Sequence, residues 1–140
     1  MKRQQAFTLL ELMIVVVVLA IVASMTIPSL LNARKLSHEA ATISALRTLT
    51  TVNEQYQTRF DTYPGSLAHL ANESYIDDGF GAGQKHGYDF TYAGSADTWS
   101  CAADPTTPGQ TGDRYFYLDQ TGVIRLSTTG TATSTDPPLD

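Results

Sequence analysis

Apolar residues fill the N-terminal part of the chain almost without interruption, from Phe7 to Ile27, and Glu11 is the only charged residue among them. A helix of this length rises about 31 Å, which matches the hydrocarbon thickness of a bilayer. The nine Leu, Ile and Val side chains between Leu12 and Ala23 together favour insertion by roughly 3–5 kcal/mol, and a carboxylate near the interface costs less than that. The pattern therefore predicts a membrane-spanning helix.

After the apolar run the pattern becomes one-sided, because large apolar residues recur at spacings of three, four and seven. Such spacing places them on one stripe of a helix. We therefore predict a nearly continuous helix from Phe7 to about Phe60, whose second half packs on a sheet. Glu39 and Asn53 should lie on other, polar faces. The stripe consists of Leu36, Ile43, Leu46, Leu49, Val52, Tyr56 and Phe60.

Pro28 stands inside this predicted helix. It lacks a backbone donor and its ring clashes with the carbonyl of Ser24, so we expect a kink or a local loss of helix there. A helix that simply ends at Pro28 is the alternative, and the apolar stripe that continues beyond it argues against that.

The second half of the chain carries the signals of a small sheet. Ser66 should cap a short helix through Asn72, and the glycines between residues 79 and 87 predict a flexible loop. Close spacing of the strands favours an antiparallel meander of three or four strands, with a turn at Asp119–Gly122. The predicted strands are Tyr88–Tyr92, Thr98–Ala102, Arg114–Leu118 and Val123–Ser127.

Composition narrows the classes of function. The net charge of -5 disfavours binding to nucleic acid. Cys101 is the only cysteine, which excludes an intrachain disulfide, and it should be a small buried residue. The histidines at 38, 69 and 86 lack metal-ligand spacing. No nucleophile–base pair stands out either, so we predict no catalytic residue, no metal and no cofactor.

The stretch AFTLLELMIVVVVLAIVASMTIPSLLNARK resembles the N-terminal signature of type IV pilins and of the related pseudopilins of type II secretion. In that family a prepilin peptidase cuts before the apolar run, between a small residue and a residue that is usually Phe. An acid occupies the fifth mature position. These roles fall on Ala6, Phe7 and Glu11. Ala6 departs from the usual glycine, and because alanine is the next smallest side chain we expect slower cleavage rather than none.

The resemblance also implies that Phe7 becomes an N-methylated terminus and acts with Glu11 in subunit assembly. A helix dipole disfavours an amine at the helix N-terminus, and a carboxylate one turn later offsets that charge. Glu11 can do so in its own chain or reach the amine of a neighbouring subunit. An unpaired charge is expensive in an apolar filament core, so this pairing would fix the axial register. The alternative is an acid that is merely tolerated at the lipid interface.

The expected fold class is α+β, with a long kinked N-terminal helix packed on a small antiparallel β-sheet, as in pilins. The predicted order is a leader (1–6), a membrane and filament-core half of the helix (7–31), an amphipathic half (32–60), a globular sheet domain (61–127) and a polar tail (128–140). We expect the tail to be mobile. Some pseudopilins bind calcium in a C-terminal loop, but the loop between Asp104 and Asp113 lacks the D-x-D-x-D-G pattern.

The function implied is that of a structural subunit of a type IV pilus-like filament. The subunit is stored in the bacterial inner membrane, with Lys2 and Arg3 on the cytoplasmic side. It ends in an extracellular pilus or a periplasmic pseudopilus. The implied partners are copies of itself, the prepilin peptidase, an assembly ATPase with its inner-membrane platform, and lipid before assembly. The alternatives are a type II secretion pseudopilin and an anchored periplasmic domain that never polymerises. A cleaved secretory signal is disfavoured, because the expected small-x-small site is poor: Ala23-Ser24-Met25 would place Met25 at the cut, and no A-x-A follows.

Overall fold

The computed structural model describes residues 7–139, so Ala6 lies outside the described residues. The chain divides into two compact units, with the boundary between Ala33 and Arg34. Helix α1, Leu9–Phe60, confirms the predicted long N-terminal helix. Pro28 lies within it and the helix is unbroken there. The helix therefore neither ends nor loses its structure at Pro28, and a kink at that position stays a prediction.

The globular unit contains the end of α1, two short helices and one sheet. The helices are α2 (Leu67–Asn72) and α3 (Asp78–Gly81). The strands are β1 (Gln84–Lys85), β2 (Tyr88–Gly94), β3 (Trp99–Pro105), β4 (Tyr115–Asp119) and β5 (Arg125–Ser127). Every strand pairs antiparallel with the next one along the chain, in the order β1-β2-β3-β4-β5. The α+β class and the meander are confirmed, and the described residues 7–139 form five strands rather than three or four.

The glycine-rich stretch between residues 79 and 87 is not the flexible loop that its composition predicted. It forms α3 and β1 instead. The side chain of Asp77 caps α3 by accepting a hydrogen bond from the Phe80 N–H at 2.9 Å, and the Phe80 ring is buried. One N-cap and one buried ring thus outweigh the low helix propensity of glycine. The other predicted cap is confirmed, because Ser66 accepts from the His69 N–H at the start of α2.

The core lies between one face of the sheet and the middle of the α1 stripe. Along β3, Trp99, Cys101 and Ala103 are buried and alternate with half-buried residues, as expected for a strand with one face inward. Leu46 and Leu49 of α1 are fully buried in the same cluster. The predicted stripe is therefore confirmed in its centre. Its ends are not in the core, since Leu36 is 63% exposed and Phe60 38% exposed.

Two glycines are required by the geometry of the sheet connections. A Cβ on Gly112 would stand 2.0 Å from the Tyr88 hydroxyl, so a side chain there would displace the ring. Gly122 has a φ of +74° and donates its N–H to the carbonyl of Asp119 at 3.0 Å. This confirms the predicted turn and explains its last residue, because a positive φ favours glycine.

The polar tail was expected to be mobile, and in the described residues 128–139 this expectation is wrong. The Leu126 N–H donates to the carbonyl of Pro137 at 3.0 Å, and the Leu139 N–H donates to the carbonyl of Ile124 at 2.7 Å. Ala132 is only 2% exposed. Composition suggested disorder, yet two apolar side chains and a set of backbone hydrogen bonds order this stretch. We call residues 128–139 the C-terminal segment.

Candidate functional site: the apolar N-terminal segment

Residues 7–31, here called the apolar segment, are exposed along their whole length. Leu9 is 78% exposed, Leu19 62% and Ile27 60%. The helix is long and apolar enough to cross a membrane. Leaving so many large apolar side chains in water would cost on the order of tens of kcal/mol. A helix that is apolar all round needs lipid or other helices around it, so this segment is built for a non-aqueous environment.

The start of the segment is a capped helix end with an acid in its first turn. The Thr8 hydroxyl oxygen accepts a hydrogen bond from the Glu11 N–H at 3.2 Å, and the carbonyl of Thr8 accepts from the Leu12 N–H at 3.2 Å. Thr8 is thus the N-cap of α1, and Glu11 is the third helical residue. The pattern Thr-x-x-Glu is that of a capping box, a signal that sequence reasoning about Glu11 missed.

Glu11 therefore has two physical roles available. Its carboxylate lies at the positive end of the helix dipole, where an acid is favoured without any ionic partner. It is also exposed, one helical turn after Phe7, which is itself 80% exposed. No ion pair joins Glu11 to another residue of the described range 7–139. The charge is thus free to meet a partner from outside this range or from another molecule.

Two hydroxyl groups precede Pro28 inside the apolar segment. The Ser24 hydroxyl donates to the carbonyl of Ile21 at 2.7 Å, and the Thr26 hydroxyl donates to the carbonyl of Val22 at 3.0 Å. Both polar groups are satisfied within the helix, so they add little cost in an apolar environment. Pro28 leaves the carbonyl four residues earlier, that of Ser24, without its usual helical donor.

The globular unit contains a buried carboxylate that sequence reasoning placed on a polar face. Glu39 is only 3% exposed. One of its oxygens accepts from the backbone N–H groups of Asp113 at 2.9 Å and Arg114 at 3.3 Å, and the other accepts from Arg114 Nε at 2.7 Å. Nearby, Lys35 pairs with the Asp113 carboxylate at 3.1 Å. These contacts fasten the loop before β4 to α1.

Asn53 is the second polar residue that was wrongly placed, since it too is fully buried. Its amide oxygen accepts from the Tyr92 hydroxyl at 2.7 Å, and its amide nitrogen donates to the carbonyl of Leu49 at 2.8 Å. Positions 39 and 53 both fall three or four residues from members of the apolar stripe. Their spacing, rather than their polarity, was the signal for burial.

The acidic residues at the two ends of the loop between β3 and β4 do not converge. Asp113 pairs with Lys35, whereas Asp104 accepts a hydrogen bond from the Thr131 hydroxyl at 2.8 Å. Within residues 7–139 no group of three or more His, Cys, Asp or Glu side chains is arranged to hold a metal ion. Cys101 is fully buried, as predicted, and burial raises the pKa of its thiol to about 12.

Comparison with known proteins finds one family model and several relatives that match part of the chain. Residues 1–27 match the family model described as the prokaryotic N-terminal methylation motif. The type IV wide pilus major component PilA4 of Thermus thermophilus is 36% identical over 70 residues, which are 50% of this chain and 53% of that protein. The type II secretion system core protein G of Klebsiella pneumoniae is 34% identical over 64 residues, 46% of each chain. The same protein of Vibrio cholerae is 34% identical over 64 residues, 46% of this chain and 44% of that protein.

The aligned part spans about half the length of these relatives. The family model's match includes Ala6, Phe7 and Glu11, the residues that carry the resemblance seen in the sequence. The motif and the relatives together confirm the recognition made from the sequence, that of the type IV pilin and type II secretion pseudopilin family.

Proposed function

We propose that the protein is a structural subunit of a type IV pilus-like filament. The observation that carries the proposal is the apolar segment, which is exposed on every side and lies largely within the methylation motif matched over residues 1–27. An ordinary membrane anchor needs the apolar length but has no need of the acid, the motif or the cap. In the filament, the apolar segments of many copies pack together, and the exposed apolar side chains leave water permanently.

The proposed path begins in the bacterial inner membrane, with the N-terminus in the cytoplasm. The prepilin peptidase cuts between Ala6 and Phe7, and Phe7 is then N-methylated. An ATPase acting through an inner-membrane platform adds the subunit to the filament. The Glu11 carboxylate pairs there with the Phe7 amine of a neighbouring copy, because both charges would otherwise be unpaired in an apolar core. The protein has a structural role on this path and needs no catalytic chemistry of its own.

A second candidate function is that of a pseudopilin in a type II secretion system. It is favoured by the similarity to core protein G of that system in several bacteria. Deletion of the gene separates the two, because a pilin deletion removes surface pili and a pseudopilin deletion stops secretion while pili remain. An anchored domain that never polymerises is distinguished by sequencing the N-terminus of the membrane-bound protein. A start at Phe7 supports the filament proposals, and a start at Met1 supports the anchor.

Glu11→Gln is the sharpest test of the assembly step. Glutamine keeps the size of the side chain and its capacity to complete a capping box, but it removes the charge. We expect membrane insertion and cleavage to persist while the yield of sheared filaments falls at least about tenfold, since each added subunit would bury an unpaired amine at a cost of a few kcal/mol. Thr8→Ala is the matched control, because it removes the cap and keeps the charge. The proposed pairing would be contradicted if Thr8→Ala lowered the filament yield and Glu11→Gln did not.

A further inference from the structure

The two edge strands of the sheet, β1 and β5, differ in length and in the polarity of their surroundings. At one edge, β1 has only two residues, and Lys85 on it forms an ion pair with Asp77. A strand so short and charged offers little to another chain. At the other edge, β5 has three residues and a less polar neighbourhood, including Ile124 and Leu126. This second edge is the one on which an additional strand could pair.

The backbone of β5 shows which groups such a strand would use. Peptide groups of alternate residues point to opposite sides of a strand. Since the Leu126 N–H and the Ile124 carbonyl bond to the C-terminal segment, Arg125 and Ser127 direct their peptide groups to β4. The free edge of β5 would therefore present the peptide groups of Ile124 and Leu126, and the C-terminal segment bonds the Leu126 N–H and the Ile124 carbonyl.

Pro138 occupies a special place in this pairing. It lies opposite Arg125 in an antiparallel bridge, between the hydrogen bond to the Pro137 carbonyl and the one from the Leu139 N–H. In that register the peptide groups of Pro138 point away from β5, towards the next position outside the sheet. Proline has no N–H, so the covered edge lacks a donor where a further strand would need one.

The C-terminal segment is attached by more than these two backbone bonds. The Arg125 guanidinium donates to the carbonyl of Asp136 at 2.9 Å, and Leu139 packs against the core. Thr131 is bonded to Asp104 of β3, and Ala132 next to it is buried. The segment is thus held at its middle and at its end, as expected for an ordered part of the fold.

We propose that the C-terminal segment is an edge cap, which keeps the sheet from pairing with the sheet of a second copy of this chain. It occupies one donor and one acceptor at the free edge of β5, the Leu126 N–H and the Ile124 carbonyl, and Pro138 ends the ladder. The inference does not depend on filament formation. Copies held side by side at high local concentration would need such a cap most, because unprotected edges of identical sheets pair with each other.

The test compares the full chain with a chain that ends after Ser127, each purified at a detergent excess that holds one copy per micelle. We expect the shortened chain to keep the near-ultraviolet circular dichroism of Trp99, to sediment as larger species and to gain the infrared band of intermolecular β-structure. A second variant, Pro138→Val in the full chain, restores one outward N–H and should also increase association. Pro108→Val, in the exposed loop after β3, is its control and should not.

Three results would overturn the inference. The first is a shortened chain that stays folded and monodisperse at the concentrations tested. The second and third come from the full chain and also apply if the shortened chain does not fold: they are the rate of amide exchange and the association of the proline variants. The Leu126 and Leu139 amides should exchange at least about tenfold more slowly than exposed amides, as hydrogen-bonded sheet amides do. Exchange at the rate of free amides, or equal association of the two proline variants, would exclude an edge cap.

Discussion

Replacement of Glu39 by alanine tests whether the buried carboxylate fastens the sheet to α1. The side chain is 3% exposed and accepts three hydrogen bonds, two from backbone N–H groups and one from the Arg114 guanidinium. Alanine would leave all three donors without their acceptor. Truncating one partner of a buried ion pair costs roughly 3–5 kcal/mol. The Arg114 side chain is 34% exposed and can be rehydrated, so we expect the lower end, about 3 kcal/mol.

The assay follows the unfolding of the globular unit alone. Trp99 is the only tryptophan and is 2% exposed, so its fluorescence and near-ultraviolet circular dichroism report the loss of this core. For a unit of this size, a loss of about 3 kcal/mol should lower the midpoint of thermal unfolding by on the order of 10 °C. Urea titration of the full chain in detergent gives the free energy of unfolding independently.

Glu54→Ala is the matched control, because it changes the same residue type on the same helix. Glu54 is exposed and accepts one hydrogen bond, from the Tyr63 hydroxyl at 3.0 Å. Its loss should cost less than about 1 kcal/mol, as for other surface contacts. Glu39→Gln should fall between the two, since it keeps an acceptor and loses the charge. If Glu39→Ala and Glu54→Ala unfold at the same midpoint, the assignment of Glu39 as a fastening residue is refuted.

Three further predictions follow from single positions. Gly112→Ala should lower the free energy of unfolding by about 1–3 kcal/mol, because its Cβ would clash with the Tyr88 hydroxyl; Gly130→Ala, in open space, should not. Burial raises the pKa of the Cys101 thiol from 9.0 to about 12, so the folded state holds that proton more tightly. A pH titration should therefore show stability from this group below pH 9 and its loss as the pH rises towards 12, and a bulky thiol reagent should label only unfolded protein. Ala6→Leu should leave uncleaved precursor in the membrane, measured by immunoblot, and normal amounts of processed protein would contradict this.

The sequence by itself determined the parts of this protein that depend on local pattern. A long uncharged run, a one-sided stripe and closely spaced strands were sufficient to predict the long helix and the antiparallel meander. The candidate site could also be proposed from the sequence alone, because the acid and the residues flanking the proposed cleavage position lie within six consecutive residues. Periodicity and short motifs can be recognised in the sequence, because residues that are close along a helix or strand are also close in space.

Only the tertiary structure decided what depends on contacts between distant residues. Glu39 meets Arg114 across 75 positions, and Asn53 meets Tyr92 across 39. Because both side chains are polar, they were predicted to be exposed to solvent. The hydrogen-bond donors that allow their burial come from residues far away in the sequence, which local patterns do not reveal. The C-terminal segment was misjudged for the same reason. Its Ser, Thr and Pro content is typical of mobile chain. In the folded sheet, however, the free edge of β5 presents backbone groups that hydrogen-bond to this segment, and these bonds order it.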